Sequence, residues 1–184
     1  KRLENVELGK EAEKSVKNAI NSIEQAACTI SSFISELRSY SSPILSEKQL
    51  STVVNNVIQL AMPKAKSKNI SLESYVNEEF RVHIDETKMQ SVILNLIYNG
   101  IDAIEENGRI TLKIGEKQGN KISLLVQDSG AGIPENVVPK IFDEGFTTKI
   151  DGNGQGLAIC KKLMEQQYGD LKLVKTGNDG TEFE

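Results

Sequence analysis

The sequence predicts an α+β fold in which a mixed sheet is covered on one face by helices, preceded by a separate N-terminal helix. Three observations lead to this prediction. The first forty residues carry an apolar seam typical of helix pairing, and the remainder mixes amphipathic helices with strands that form hairpins. Strands and helices also do not alternate in a βαβαβ order, which favours a sandwich over a doubly wound parallel sheet.

Residues 1 to about 40 lack proline and carry apolar residues whose spacing alternates between four and three. The members of this seam are Val16, Ile20, Ile23, Ala27, Ile30, Ile34 and Leu37. Such spacing is typical of a coiled coil or a helical bundle, and a single helix cannot bury it alone. We therefore expect a partner helix, most simply from a second copy in a homodimer. The alternative is a helix that folds back on its own domain.

Pro43 and four serines in "SYSSPILSEK" mark a domain boundary. We expect a dimerisation helix over residues 1–43 and a second domain over residues 46–184. The second domain begins with a helix whose apolar face starts at Leu50 and which should end at Pro63. Two extended segments follow, "NISLESYV" and "EFRVHID", and the second alternates apolar and polar residues as a strand with one buried face does.

Asp85 is placed to cap the next helix, "ETKMQSVILNLIYNGIDAI". Two further strands, "GRITLKIGEK" and "KISLLVQDSG", are predicted to form a hairpin that turns at "QGNK". A polar, glycine-rich segment then leads to the helix "GLAICKKLMEQQY", and a strand, a turn and the start of another strand follow in "DLKLVKTGNDGTEFE".

Three short polar side chains share one narrow face of the helix that follows Asp85. At about 100° per residue, Asn95, Asn99 and Asp102 fall within roughly 60° of each other, opposite a cluster of isoleucines. A solvated face would be expected to carry lysine or glutamate, and buried amides and carboxylates need partners. The pattern favours contact with a ligand or a metal, with a solvated polar face as the alternative.

Asp128 ends the second strand of the predicted hairpin and is followed by Gly130 and Gly132 in "DSGAGI". The glycines permit a tight turn that would leave the carboxylate facing a pocket. A carboxylate accepts hydrogen bonds only, so it suits a donor such as the exocyclic amine of adenine. The alternative is an ordinary Asp-Ser-Gly turn.

Gly152, Gly154 and Gly156 alternate in "DGNGQGLAICKK" and run directly into a helix. Glycine lets the backbone approach a bulky anion closely or adopt a positive φ, and the N–H groups of the helix N-terminus would face the same anion. The pattern is consistent with phosphate binding, and a common glycine-rich turn is the alternative.

Composition argues against several classes of partner. With 22 Lys+Arg and 26 Asp+Glu, the net charge of −4 gives no electrostatic reason to expect nucleic acid or an anionic membrane as partner. No apolar run reaches the roughly 18 residues of a transmembrane helix. Cys28 and Cys160 lie far apart without metal-ligand spacing, as expected of reduced core cysteines in a cytoplasmic protein.

Four motifs occur in a fixed order, namely "NLIYNGIDA", "DSGAGI", "IFDEGFTTK" and "GNGQGLAICKK". In this order they resemble the N, G1, F and G2 boxes of the catalytic, ATP-binding domain of two-component sensor histidine kinases. This Bergerat-fold branch is shared with gyrase-type ATPases and the ninety-kilodalton heat-shock chaperones. The resemblance covers residues 46 to 184 and implies an α/β sandwich that holds ATP between the N-box helix and a mobile lid.

The resemblance also implies a role for each motif. Asn99 would ligate Mg²⁺ through its amide oxygen, with Asn95 beside the same phosphates. Asp128 would anchor adenine, and Lys149 would reach the γ-phosphate as a point charge. Asn95 and Lys149 are the implied catalytic residues. The further residues expected to contact the cofactor are Asp102, Gly130, Gly132, Ile133, Gly152, Gly154, Gly156, Leu157 and Thr181, while Phe142 and Phe146 are expected to pack the lid.

Asn95 distinguishes two subfamilies. Gyrase-like ATPases carry a glutamate there as a general base for water, whereas asparagine cannot accept a proton at neutral pH. The resemblance therefore implies slow ATP hydrolysis and transfer of the γ-phosphoryl group to a protein, mainly by positioning and charge stabilisation. The alternatives are a gyrase-like hydrolase and a non-catalytic nucleotide-binding or dimerisation adaptor that keeps the fold.

The family's phosphoacceptor histidine has no counterpart in this sequence. The single histidine, His83, falls on the polar face of a strand and is expected to be an ordinary surface residue. Residues 1–40 resemble the second helix of the dimerisation hairpin, so the helix with the phosphoacceptor is expected before Lys1, and the last strand is expected to continue beyond "TEFE". The expected partners are that helix, a response regulator receiver domain and a second copy of the chain.

Overall fold

The computed structural model describes residues 40–76, 80–149 and 154–184, together with residues 11, 12, 14–16, 18, 19, 23, 30, 34 and 37. The chain divides into two compact units, Lys1–Leu37 and Arg38–Glu184. Within the described residues, no helix has both the length and the apolar character needed to cross a membrane.

Every described residue of the first unit is helical, so the predicted helix is confirmed at those positions. The described members of the apolar seam are exposed, namely Val16, Ile23, Ile30, Ile34 and Leu37. Leu37 is 69% exposed. Single exposed apolar residues are common, but several on one helix form a surface that is available to a partner. Ile20 and Ala27 lie outside the described residues.

The second unit contains three α-helices and seven strands among its described residues. In chain order they are β1 (Ser46–Gln49), α1 (Leu50–Ser67), β2 (Ser71–Tyr75), β3 (Arg81–Ile84), α2 (Glu86–Ala103), β4 (Arg109–Gln118), β5 (Lys121–Asp128), α3 (Gly156–Glu165), β6 (Leu173–Gly177) and β7 (Gly180–Phe183), with a 3₁₀ turn at Val138–Lys140.

Five strands form one sheet in the order β2-β4-β5-β7-β6. β2 runs parallel to β4, while the other neighbouring pairs are antiparallel. The predicted mixed sheet and the β4–β5 hairpin are therefore confirmed. The turn of this hairpin contains Gly119 at a φ of +59°, a backbone conformation that favours glycine.

Helices cover one face of this sheet. Ile110 and Leu112 of β4 are fully buried in a core that also contains Val57 of α1 and Ile97 of α2. Because successive side chains of a strand point to opposite faces, Lys113 lies on the other face. There its ammonium group lies 3.3 Å from a carboxylate oxygen of Glu182. The predicted one-sided sandwich is confirmed.

Helix α1 does not end at Pro63, so the predicted boundary is wrong. The helix continues to Ser67. Pro63 lacks the N–H group that would donate a helical hydrogen bond to the carbonyl of Gln59. Because Gln59 is exposed, water can donate to this carbonyl instead. The next turn buries Ala65 completely, one turn beyond the fully buried Ala61. Packing of this apolar face offsets the lost hydrogen bond.

Strand β1 was not predicted from the sequence. It pairs antiparallel with β3, with Ser46 opposite Ile84 and Gln49 opposite Arg81, in a two-stranded sheet separate from the main one. Its residues are polar and show no alternation, so no local signal identifies it. The strand forms because β3 offers an edge to pair with.

A polar junction fixes the N-terminal end of α2. The side chain of Asp85 accepts hydrogen bonds from the N–H groups of Thr87 and Lys88, both at 3.1 Å, so the predicted N-cap is confirmed. Its other oxygen accepts from the N–H of Ile44 at 2.9 Å.

Lys88, in the first turn of α2, is only 2% exposed. Its ammonium donates to the Ser41 carbonyl at 2.7 Å and to Gln166 Oε1 at 2.6 Å. Three segments distant in sequence are thus joined.

We predict that Lys88→Ala lowers the free energy of unfolding by about 1–3 kcal/mol, because buried acceptors lose a charged donor. The measurement is unfolding by denaturant, monitored by circular dichroism. Lys66→Ala on the exposed side of α1 is the matched control, and it should change stability by less than about 0.5 kcal/mol. Equal effects of the two substitutions would contradict the structural role of Lys88.

Candidate functional site

The three polar residues predicted on one face of α2 are neighbours in the structure. Asn99 Nδ2 donates to Asn95 Oδ1 at 3.0 Å, and Asp102 follows one turn later. On the opposite side of the helix, Ile93 and Ile97 are buried almost completely. The helix is thereby held with its polar stripe facing away from the core.

Lys149 reaches this stripe from the loop before α3. Its ammonium donates to Asn99 Oδ1 at 3.0 Å and to Asp102 Oδ2 at 2.7 Å. An amide oxygen and a carboxylate oxygen therefore converge on a single cation. The structure brings together all four residues predicted to surround the metal and the phosphates, Asn95, Asn99, Asp102 and Lys149.

Asp102 has a second cationic partner that the sequence did not reveal. Lys64, in the last turn of α1, donates to Asp102 Oδ1 at 2.8 Å. Burial raises the pKa of Asp102, but the hydrogen bonds from Lys149 and Lys64 outweigh it and hold the pKa below its ordinary value. Asp102 is therefore ionised at neutral pH.

Asp128 ends β5, as predicted, and lies beside α2. Its Oδ1 accepts from the N–H of Gly130 at 2.8 Å and from the N–H of Thr181 at 3.3 Å. A Cβ added to Gly100 would stand 2.9 Å from the Asp128 Cβ, so the helix and the strand end are in close contact here. Burial raises the pKa of Asp128, and the two backbone hydrogen bonds oppose it only in part.

The turn after Asp128 packs tightly against two neighbouring elements. Gly130 lies against Ala103 at the end of α2, and Gly132 lies against the backbone of Gly177 in β6. The N–H of Ile133 donates to Thr176 Oγ1 at 2.6 Å. The turn is therefore fixed between α2 and the sheet, and it holds Asp128 at their junction.

Two of the three alternating glycines fall within the described residues. Gly154 has a φ of +67°, and a Cβ there would collide with the backbone of Gly145, whose N–H donates to the Gly154 carbonyl at 3.0 Å. Gly156 begins α3, and a Cβ there would stand 2.9 Å from Asn95 Nδ2. Gly152 lies outside the described residues. The loop thus meets the polar stripe of α2 at Gly156, where an added Cβ would displace the Asn95 amide.

The remaining predicted residues lie around this loop. Phe142 and Phe146 are partly buried against the core, and the Phe142 ring packs edge-on against that of Phe183 at 6.4 Å. Both side chains therefore have a packing role. Leu157, one residue into α3, is also partly buried against the core, and Thr181 is 4% exposed. His83 is exposed on β3, as predicted.

The site therefore has two chemically different ends. At one end, an ammonium, two amides and a carboxylate lie close together, which suits a phosphate chain with its cation. The convergence of Asn99 Oδ1 and Asp102 Oδ2 on one ammonium shows that this donor set accepts a cation. No cluster of three His, Cys, Asp or Glu side chains able to hold a metal occurs in the described part of the chain. Mg²⁺ would accordingly need further oxygens, such as those of phosphate and water.

At the other end, Asp128 offers a hydrogen-bond acceptor in a half-buried position. Both of its described hydrogen bonds end on Oδ1, so within the described structure Oδ2 keeps its lone pairs for a further donor. This suits a planar ligand that carries an amino group. The residues present thus fit an adenine nucleotide bound with a divalent cation.

Comparison with protein families gives an independent result. The family described as histidine kinase-, DNA gyrase B-, and HSP90-like ATPase matches residues 84–184, more than half of the chain. The sensor histidine kinase ZraS of Salmonella typhi is 34% identical over 135 residues, which are 73% of this chain and 29% of ZraS. The sensor protein TdiS of Thauera aromatica is 28% identical over an alignment that includes the whole chain and 34% of TdiS. The chain therefore spans about a third or less of these relatives.

Solved structures give the same picture. The catalytic domain of histidine kinase ThkA superposes with a TM-score of 0.67 at 34% identity, over 76% of this chain and 92% of that domain. The structure of ThkA in complex with the response regulator protein TrrA superposes with a TM-score of 0.71 at 31% identity, over 91% of this chain and 49% of that one. The predicted family and fold are confirmed.

We predict that Asp128→Asn abolishes nucleotide binding without loss of stability at pH 7. Because the pKa of Asp128 is raised in the folded state, protonated Asp128 stabilises the fold at pH values below its ordinary pKa of 3.8. This stabilisation is lost as the pH rises through the pKa of the folded state. At pH 7 the ionised carboxylate therefore costs folding free energy, and the neutral amide does not. Because its one oxygen would remain with Gly130 and Thr181, the amide would offer the ligand an N–H group in place of an acceptor.

Calorimetric titration with ATP measures the affinity of the variant, and denaturant unfolding measures its stability. Asp170→Asn, at an exposed position after α3, is the control for a change of one charge and should leave ATP affinity unchanged. For the wild type, ATP affinity should fall on acidification at a pH above 3.8, as Asp128 takes up a proton. Retention of affinity by Asp128→Asn would remove Asp128 from the binding site.

Proposed function

Because this chain belongs to the family of histidine kinase-, DNA gyrase B-, and HSP90-like ATPases, we propose that it binds Mg-ATP and positions the γ-phosphoryl group for transfer to a histidine outside this chain. The observation that carries the proposal is the convergence of Lys149, Asn99 and Asp102 beside Gly156, with Asp128 at the other end of the same site. ZraS is a sensor histidine kinase, and its similarity supports a kinase role in a two-component pathway for this chain.

Each side chain has a distinct part in this proposal. Asp128 accepts a hydrogen bond from the adenine amine, supported by Thr181. Asn99 would hold Mg²⁺ through Oδ1, and the metal would supply charge neutralisation for the phosphates. Asn95 lies beside the same phosphates, and Lys149 holds the γ-phosphate as a compact positive charge. The loop that contains Gly154 and Gly156 encloses the phosphate chain, with Gly130, Gly132, Ile133 and Leu157 shaping its surroundings.

The chemistry available at Asn95 favours transfer over hydrolysis. No carboxylate stands at this position to remove a proton from water, and an amide cannot act as a base at neutral pH. Asp102 is one turn beyond Asn99 and is engaged by two lysines. The side chains therefore orient the reactants and stabilise charge, and the nucleophile is the imidazole of the acceptor.

Partners follow from the same proposal. ThkA has been solved in complex with a response regulator, and we propose that a response regulator receiver domain accepts the phosphoryl group downstream of this chain. The acceptor histidine would lie on another helix of the same kinase, in the cytoplasm.

We predict that the chain is a dimer whose contact is the seam of the first unit. Val16, Ile23, Ile30 and Leu37 lie exposed on helical residues, and pairing with a second copy would bury them. Sedimentation equilibrium should give twice the mass of the chain, and Ile23→Glu with Ile30→Glu should give a monomer. A monomeric wild type would contradict pairing of the seam with a second copy.

We predict that the chain with Mg-ATP phosphorylates a fragment of its parent kinase that carries the phosphoacceptor histidine. The product should be an acid-labile, base-stable phosphate on the fragment. The chain alone should acquire none, because its single histidine lies on strand β3 and not on a phosphoacceptor helix. The readout is transfer of radiolabelled γ-phosphate, with free phosphate release as the measure of hydrolysis.

Asn99→Ala should abolish both transfer and magnesium-dependent ATP binding. Asn56→Ala, on the exposed side of α1, is the matched control and should behave as the wild type. ATP binding without transfer to the fragment would favour a nucleotide-binding adaptor. Release of free phosphate at a rate comparable to transfer would favour a hydrolase.

A further inference from the structure

Lys64 has no role among the motifs of the sequence, but it joins the site from a different helix. Its ammonium lies 2.8 Å from Asp102 Oδ1 and 4.8 Å from the centre of the Tyr98 ring. The carboxylate and the aromatic face both attract a cation, so two groups of α2 fix this ammonium. Lys64 therefore contacts the same helix that carries Asn95 and Asn99.

The two oxygens of Asp102 are divided between two lysines. Lys64 occupies Oδ1, and Lys149 occupies Oδ2 at 2.7 Å. The three side chains together carry one net positive charge. Without Lys64, the Asp102–Lys149 pair would be neutral, and both carboxylate oxygens would compete for the Lys149 ammonium.

The Lys149 ammonium has three N–H donors. In the described structure, one goes to Asp102 Oδ2 and one to Asn99 Oδ1. The third remains for an anionic ligand at the polar stripe. The strength with which Asp102 holds this ammonium thus determines how readily it turns to a phosphate oxygen.

We propose that Lys64 is a positioning residue that acts through Asp102 to keep Lys149 available for the terminal phosphate of a nucleoside triphosphate. Lys64 shares the negative charge of Asp102, so Lys149 is oriented by this carboxylate without being neutralised by it. The proposal rests on the proposed function, in which Lys149 holds the γ-phosphate. Its specific consequence is discrimination between ATP and ADP, since only ATP carries the phosphate that Lys149 would contact.

The competing explanation is a surface ion pair without functional effect. The side chains of Lys64, Asp102 and Lys149 are 41%, 35% and 47% exposed, and ion pairs at such exposure contribute little to stability. A stability measurement therefore cannot separate the two explanations. Nucleotide affinity can, if ATP and ADP are compared in the same variants.

The experiment is calorimetric titration of ATP and ADP, each with Mg²⁺, into the wild type and five variants. Lys64→Gln should weaken ATP binding about three- to tenfold and change ADP affinity less than about twofold. Lys64→Arg keeps the positive charge and should bind ATP with the affinity of the wild type. Lys66→Gln, two residues along α1, removes the same charge from an exposed position and should leave both affinities unchanged.

The double variant Lys64→Gln with Asp102→Asn, compared with Asp102→Asn alone, shows whether Lys64 acts through Asp102. In that background the loss of Lys64 should have no further effect on ATP affinity, because the carboxylate that it neutralises is gone. An additive loss would mean that Lys64 touches the nucleotide directly, and it would overturn the proposal. Equal weakening of ATP and ADP, or no change in Lys64→Gln, would also overturn it. A wild type that binds neither nucleotide would instead refute the proposed function itself.

Discussion

Helix α2 has one side buried in the core and a polar stripe on the other side, and the arrangement of the second unit depends on this constraint. Ile93 and Ile97 are buried almost completely, and each such side chain contributes roughly 2–3 kcal/mol by leaving water. Their burial fixes the rotation of the helix about its axis. Asn95, Asn99 and Asp102 must then emerge on the other side, where amides and a carboxylate require partners. Asn95 and Asn99 pair with each other, and Lys149 from the loop before α3 and Lys64 from α1 supply the remaining partners.

The position of α2 along its axis is fixed by contacts at both ends. At the N-terminal end, Asp85 caps the helix and Lys88 ties it to the segment before β1 and to the end of α3. Near the C-terminal end, Gly100 allows the helix to touch Asp128. From Asn95 to Asp102 the helix rises about 10 Å. The Asp128 side chain and the Lys149 ammonium thus both lie against the same rigid helix.

Features encoded locally were predictable from the sequence, and features encoded by distant contacts were not. The cap at Asp85 and the polar stripe of α2 depend on spacings within one helix, so periodicity identified them. The continuation of α1 past Pro63 depends on burial of Ala65, and β1 depends on an edge offered by β3. Neither leaves a local pattern.

The same distinction applies within the site. Asn95, Asn99 and Asp128 belong to short motifs, but Lys64 meets Asp102 across 38 residues. Its neighbour Lys66 has the same chemistry and is exposed, so composition could not select between them. The role of Lys88 was equally hidden, because its partner Ser41 lies 47 residues away. Sequence reasoning therefore identified the polar stripe and the strand end, and it missed the two lysines that contact or anchor α2 from distant segments.

The charges of the second unit fall into two classes that differ in what their loss would cost. Lys88 is buried, so its hydrogen bonds cannot be exchanged for water without leaving polar groups unsatisfied, at about 1–3 kcal/mol. Lys64, Asp102 and Lys149 are half-exposed, and each pair contributes about 0–1 kcal/mol to stability. Lys149 can therefore leave Asn99 for a phosphate oxygen at little cost to the fold. Because α2 is held by its buried face and by Lys88, the side chains of its polar stripe are free to rearrange while the helix that carries them stays in place.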